Sequence, residues 1–215
     1  MAEPIDLKAL EKKAWRSTFQ DGLWDIYLGS LIFILGVSPF LRQLIGLQDT
    51  FGYLLVYLLM IVPTLLILFL GKKYITIPRI GFVKFGLGRK VRKVRLRTFL
   101  LIMVLINIVV LILTIGGQFS NFLKELPFNR YVVPLFIGLT FITVPLSIVG
   151  YFMEFERLYL IGILAGFGFF IAELLYPIVG SPLDSALSMG VIGAIIISWG
   201  LYFFIRFLRK YPLSK

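Results

Sequence analysis

The sequence predicts an all-α membrane protein. It has six transmembrane helices with both chain ends in the cytosol, an amphipathic N-terminal helix, and a basic cytosolic loop drawn as a short β-hairpin. Three observations predict this. Hydrophobic residues fill 59% of the 215 positions and charged residues only 15%, against roughly 45–50% and about 25% in soluble domains. The apolar residues gather into runs long enough to cross a bilayer. The charge is concentrated as well: residues 72–97 (KKYITIPRIGFVKFGLGRKVRKVRLR) hold ten Lys/Arg and no Asp or Glu, leaving 12 basic and 11 acidic residues elsewhere. Nearly all of the net charge of +11 therefore comes from one segment between two apolar runs. Loops rich in Lys and Arg stay on the cytosolic side, so this segment orients the chain.

Residues 5–20 (IDLKALEKKAWRSTFQ) place Leu7, Leu10 and Ala14 on one stripe, Trp15 and Phe19 beside it, and Lys8, Lys12, Lys13 and Arg16 on the other side. This is the pattern of a helix lying in the membrane interface. It is charged throughout and lacks the features of a signal peptide. The first span is 23–45, with Trp24 and Tyr27 as headgroup-level anchors and Pro39 placed to kink or end it before Arg42. The second is 53–70, whose 18 residues give about 27 Å at 1.5 Å per residue, matching a hydrocarbon core of about 30 Å.

In the basic segment Ile75, Ile77, Val83 and Phe85 alternate with other residues, and Pro78, Gly81, Gly86 and Gly88 punctuate the run. The spacing predicts a hairpin with a strand at 81–85 and a turn at 86–90. The competing reading makes 89–97 the first helical turns of the third span. The remaining spans are 98–115, 131–153, 158–179 and 186–208, the last followed by a basic tail. Six spans put both ends and the basic segment on one side. The loops of the other side carry only Arg42, Lys124 and Arg130 as basic residues. The whole chain is then one transmembrane domain, and the cytoplasmic membrane of a prokaryote is the expected location.

The composition also excludes chemistry. There is no His and no Cys, which removes His-dependent nucleophilic triads, the usual zinc ligands and haem axial ligation through either residue. No disulfide can form. Gly86-Leu87-Gly88-Arg89-Lys90 lacks the spacing of a phosphate-binding loop. No catalytic residue, metal site or cofactor is assigned.

Four residues stand out as candidates for binding an ion or substrate. Glu173 lies among Leu, Ile and Phe in the fifth span, where a carboxylate costs on the order of 2.5–3.5 kcal/mol. It is either an ion, proton or substrate site or a structural hydrogen bond to Asn107, Ser198 or a tyrosine. Asp21 and Asp25 are four apart and share a face if the first helix begins early enough; pairing with Lys or Arg is the favoured reading over cation binding. Asn107 is one of two polar residues inside the third span. Gly162 and Gly166 have a small-xxx-small spacing suited to close helix packing. Pro63 and Pro145 sit inside spans two and four, where prolines break helices around transporter sites or occur without such a role.

The ten cations Lys72, Lys73, Arg79, Lys84, Arg89, Lys90, Arg92, Lys93, Arg95 and Arg97 exceed what orientation requires. They are expected to form a contact surface for anionic lipid headgroups or an acidic protein, with nucleic acid the weaker alternative. A second copy of the chain is a further expected partner. A non-enzymatic membrane protein working through this surface is favoured over a small transporter or channel using Glu173. Both are favoured over an intramembrane lipid-modifying enzyme.

Overall fold

The computed structural model describes residues 19–46, 50–80, 87–115 and 131–212. Among them every element is helical. α1 is Leu23–Ile45. α2 is Thr50–Gly71, extended by a π-helical turn, Lys72–Thr76, and a last α turn, Ile77–Ile80. α3 is Leu87–Ile115. α4 is Val132–Met153 with a π turn at Leu139–Thr143, α5 is Arg157–Val179, and α6 is Leu183–Lys210 with a π turn at Ala186–Gly190. The amphipathic helix expected over 5–20 falls almost wholly outside the described residues.

Five of these helices (α1, α2 over Leu55–Ile80, α4, α5 and α6) are long and apolar enough to cross a membrane, with mean hydropathies of 1.7 to 2.3. Each has an apolar stretch of which only 6–33% is buried within the chain. Side chains such as Leu59, Leu66, Phe69, Ile112, Ile178 and Ile195 are exposed instead. Water would not tolerate so much outward apolar surface, whereas lipid solvates it. The expected third span, 98–115, falls in the C-terminal part of α3, which is not among these five.

The β-hairpin gives way to helix where it can be followed. Residues 72–80 continue α2, and 87–90, expected as the turn, open α3; the strand 81–85 lies outside the described residues. The reading that Arg89 to Arg97 begin the third helix is the one that holds. The physical reason is that a helix next to the membrane satisfies its own backbone, while a lone two-stranded hairpin is only marginally stable. Local alternation of Ile75 and Ile77 does not outweigh this.

Prolines bend the pattern without ending it. Pro39 and Pro63 lie inside continuous helices. In α2 and α4 the π turn ends two residues before a proline, Pro78 and Pro145. A proline ring clashes with the carbonyl four residues back and offers it no N–H. Those carbonyls, of Tyr74 and Phe141, lie within the π turns, whose wider spiral moves them aside.

The chain forms two compact units. One contains α1, α2, α6 and the end of α5 from Leu174. The other contains α3, α4 and α5 up to Glu173. In the first, α1 and α6 pack antiparallel through glycines. Gly22, Gly29 and Gly36, spaced by seven, face Gly200, Gly193 and Gly190. A Cβ on Gly29 would lie 2.8 Å from Ile197 N, on Gly200 2.7 Å from Ile26 N, and on Gly36 2.7 Å from Ser185 O. The atoms in the way are backbone, so no rotamer change relieves them. Ile196 of α6, 1% exposed, lies against Gly29 in this seam. In the second unit, Gly138 of α4 meets the backbone of Gly166 in α5. Thr143 donates its hydroxyl to the Gly162 carbonyl at 2.8 Å.

The seam predicts unequal effects of alanine. A Cβ on Gly193 would lie 2.6 Å from Phe33 Cα, whereas on Gly190 it would meet only Val37 Cγ2 at 3.1 Å. Gly193→Ala is therefore expected to destabilise the protein by about 1–3 kcal/mol and Gly190→Ala by much less. Thermal unfolding in detergent checks this, and equal melting temperatures for the two variants would refute it.

Candidate functional site

Asp21 and Glu154 pair with cations of the basic segment, and each does so at a helix end. Asp21 precedes α1, is completely buried, and makes three polar contacts. Its Oδ1 accepts the Leu23 N–H at 3.2 Å, capping the first turn. Its Oδ2 accepts from Lys72 Nζ and from the Thr76 hydroxyl, each at 2.6 Å. Lys72 and Thr76 are the first and last residues of the π turn in α2, which presents both to one carboxylate. The next residue, Gly22, makes this possible. It has φ +73°, and a Cβ there would come within 2.9 Å of Phe204 N. Only glycine turns the chain so tightly against α6. Leu23 then packs on Gly71, the last residue before the π turn.

The helix begins at Leu23, so Asp21 and Asp25 do not share a helix face. Asp21 is directed to α2. Asp25 is buried on the α1–α6 seam beside Gly200. The cluster of Phe19, Trp24 and Tyr27, with centroid distances of 6.4 and 6.0 Å, surrounds the start of α1.

Arg79 donates from Nη1 to the Tyr211 carbonyl at 2.6 Å. A cation at the C-terminal end of α6 also meets the negative end of the helix dipole. The starts and ends of α1, α2 and α6 are thereby tied together at one end of their unit.

In the other unit, Arg92 of α3 pairs with Glu154 through Nη1 and Oε1. Its guanidinium lies 6.0 Å from the Tyr151 ring centroid, and one face along α3, Phe99 meets Phe152 at 6.5 Å. Arg92 and Phe99 thus face the end of α4. Glu154 has φ 55° and ends α4, its N–H and that of Phe155 turning back to Tyr151 O and Gly150 O. This αL closure usually takes glycine. A glutamate costs on the order of 1–2 kcal/mol there, offset by the carboxylate it supplies to Arg92.

The remaining cations are placed as follows. Lys73, Lys93, Arg95 and Arg97 are exposed. The side chains of Lys84, Arg89 and Lys90 lie outside the described residues. Glu173 is half-buried in α5. Two of its suggested partners turn to their own helices: Asn107 donates to Met103 O and Ser198 to Ala194 O, both at 2.8 Å. Among the described residues no group of three acidic side chains gathers as a metal site would.

Sequence reading missed Thr76 and Glu154 because neither is unusual in type. It also missed the seven-residue spacing of Gly22, Gly29 and Gly36, a signal that was present and could have been counted. Fold and site together define a class: a helical protein with helices apolar enough to cross a membrane and acidic residues clamping its helix ends. Compared with known proteins, the chain matches no family model, no curated protein and no solved structure.

The Asp21 clamp predicts an asymmetry. Lys72 keeps 23% exposure while Asp21 has none. Lys72→Met leaves a buried carboxylate without its counter-ion, whereas Asp21→Asn leaves an ammonium that water can reach. Removing one partner of a fully buried pair costs about 3–5 kcal/mol. Lys72→Met is expected to approach that range and Asp21→Asn to fall below it, with the double variant less destabilised than the sum. Chemical denaturation of the four proteins measures this; a larger loss for Asp21→Asn contradicts it.

Proposed function

We propose that this is a six-span integral membrane protein, non-enzymatic, with both ends and the segment 72–97 on the cytosolic side. On this reading the segment is a contact surface for anionic groups, either phospholipid headgroups or an acidic partner. The observation that carries it is the imbalance of charge within the segment. It has ten cations and no acid. The described ion pairs from elsewhere in the chain engage Lys72 and Arg92, while Lys73, Arg95 and Arg97 stand exposed.

The topology draws support from α3. Its 29 residues extend about 43 Å at 1.5 Å per residue, more than a hydrocarbon core of about 30 Å requires. The surplus is the cationic first part, held beyond the apolar span. The antiparallel packing of α1 on α6, and the meeting of the start of α3 with the end of α4, fit helices that cross in alternating directions. Transport through Glu173 is the competing reading and rests on that residue alone.

The test uses the full chain in phosphatidylcholine nanodiscs. A poly-glutamate peptide or short-chain phosphatidylglycerol is expected to bind, more weakly as salt rises. Changing Lys73, Arg95 and Arg97 together to Gln is expected to weaken binding roughly 100-fold at low salt, at about 1 kcal/mol per charge. If neither anionic probe binds better than its uncharged counterpart, the proposal fails.

A further inference from the structure

The last helix carries cations that the 72–97 surface does not include. α6 buries one face, formed by Gly193, Ile196, Gly200 and Phe207, with Gly193 against Phe33 and Gly200 against Ile26 of α1. At 3.6 residues per turn, Arg206 and Arg209 turn away from that face. Both are exposed. No hydrogen bond or ion pair joins either of them to another of the described residues. Lys210, by contrast, lies over the Tyr211 ring at 5.3 Å. Spaced by three, the two arginines have Cβ atoms about 5–6 Å apart. Their side of the helix continues through Tyr202, Ile195 and Val191, all exposed.

Depth follows from the placing of charge. Between Asp184 and Arg206 the chain has no charged residue. Those 21 residues, 185–205, extend about 31 Å as helix, which matches a hydrocarbon core of about 30 Å. Arg206 then stands at the boundary of the core, and Arg209 about 4.5 Å farther out. The headgroup layer on each side is about 5–8 Å thick, so both guanidinium groups reach phosphate depth. Aromatic rings mark the same level. Trp199 stacks on Phe203 at 6.0 Å, and Tyr202 meets Phe203 edge-on at 5.5 Å, as in the belts that gather at membrane interfaces. Tyr202 is one turn inside Arg206. Trp199 is seven residues inside, which returns it to nearly the same side of the helix.

We propose that Arg206 and Arg209, with Tyr202 and Ile195 beneath them, form a binding site for one anionic phospholipid. The inference lies beyond the 72–97 surface and needs only that α6 crosses the membrane. The headgroup phosphate accepts charge-assisted hydrogen bonds from two guanidinium groups, each able to hold two oxygens. One acyl chain lies along the exposed strip of Tyr202, Ile195 and Val191. An acidic protein would match the charges and leave that strip uncovered; a lipid matches both. A choline headgroup adds a cation beside the two already there, so phosphatidylglycerol is preferred to phosphatidylcholine.

Trp199 is the local reporter. In a W15F/W24F background it is the one tryptophan left of three. The full chain is placed in phosphatidylcholine bilayers, and phosphatidylglycerol or phosphatidylcholine with brominated acyl chains is added at low mole fraction. Bromine quenches a ring it contacts, and phosphatidylglycerol is expected to quench Trp199 more strongly. R206Q/R209Q is expected to weaken its binding there about 30-fold (about 2 kcal/mol at about 1.4 kcal/mol per decade), which brings the two lipids level. R206K/R209K, which keeps both charges, is expected to retain the selection. So is K73Q/R95Q/R97Q, because the site does not draw on the basic segment. Equal quenching by both lipids without further substitution overturns the site, and so does selection that survives in R206Q/R209Q. Selection lost in K73Q/R95Q/R97Q alone also overturns it, while leaving the 72–97 surface standing. Should R206Q/R209Q fail to fold, R209Q by itself decides by the same measure. Should the background fail to fold, the difference in quenching between the wild type and W199F isolates the same signal.

Discussion

Where α1 crosses α6, backbone touches backbone. Gly22, Gly29 and Gly36 on one helix and Gly190, Gly193 and Gly200 on the other leave no side chain between the two axes. This constraint matters because lipid supplies no hydrophobic drive to bring helices together; tails are as apolar as leucine. Association must come from close van der Waals contact and from hydrogen bonds. The glycines allow the first, and Ser185, donating to the Gly36 carbonyl at 3.3 Å, adds one of the second. The same logic operates between α4 and α5, where Gly138, Gly162 and Gly166 let Thr143 reach across to a backbone carbonyl.

The seam also determines what the chain does with its acids. Because Gly22 must turn tightly against α6, Asp21 just before it is swung toward α2, where Lys72 and Thr76 receive it. Glu154 does the corresponding work at the other unit's α4–α5 turn, accepting strain to reach Arg92. These are structural duties: each joins helix ends that glycine contacts alone do not reach. With Asp21 and Glu154 committed inward, Lys73, Arg95 and Arg97 of the same segment stay exposed. Polar residues facing lipid follow the same economy. Thr98, Asn107 and Ser198 each donate to a carbonyl four residues back in their own helix, which removes the cost of an unsatisfied group in hydrocarbon.

Much of the helical frame was legible in advance, for a definable reason. The span 23–45 coincides with α1, and 131–153 and 158–179 differ from α4 and α5 by one residue at the start. Span limits depend on hydropathy summed over a window and on bilayer thickness, both of which are local in sequence. The basic segment was harder. Its alternating Ile75 and Ile77 suggested strand, yet 72–80 is helix, because local propensity is weak against a backbone that needs internal hydrogen bonds. The π turns were not legible from prolines alone: Pro78 and Pro145 follow one, while Pro39 and Pro63 do not.

The amino-acid sequence by itself determined the solvent and the charge polarity of this protein. Apolar runs of bilayer length and ten cations in one segment follow from composition and order, with no knowledge of which helix touches which. Only the tertiary structure decided the pairings: glycines seven apart on α1 against glycines on α6, Asp21 to Lys72 and Thr76, Arg92 to Glu154, and hence which face of α3 is left outward. Those choices depend on helix rotation and register. A shift of one residue turns a helix by about 100°, so contacts 50 or more residues apart cannot be read from spacing within either partner alone.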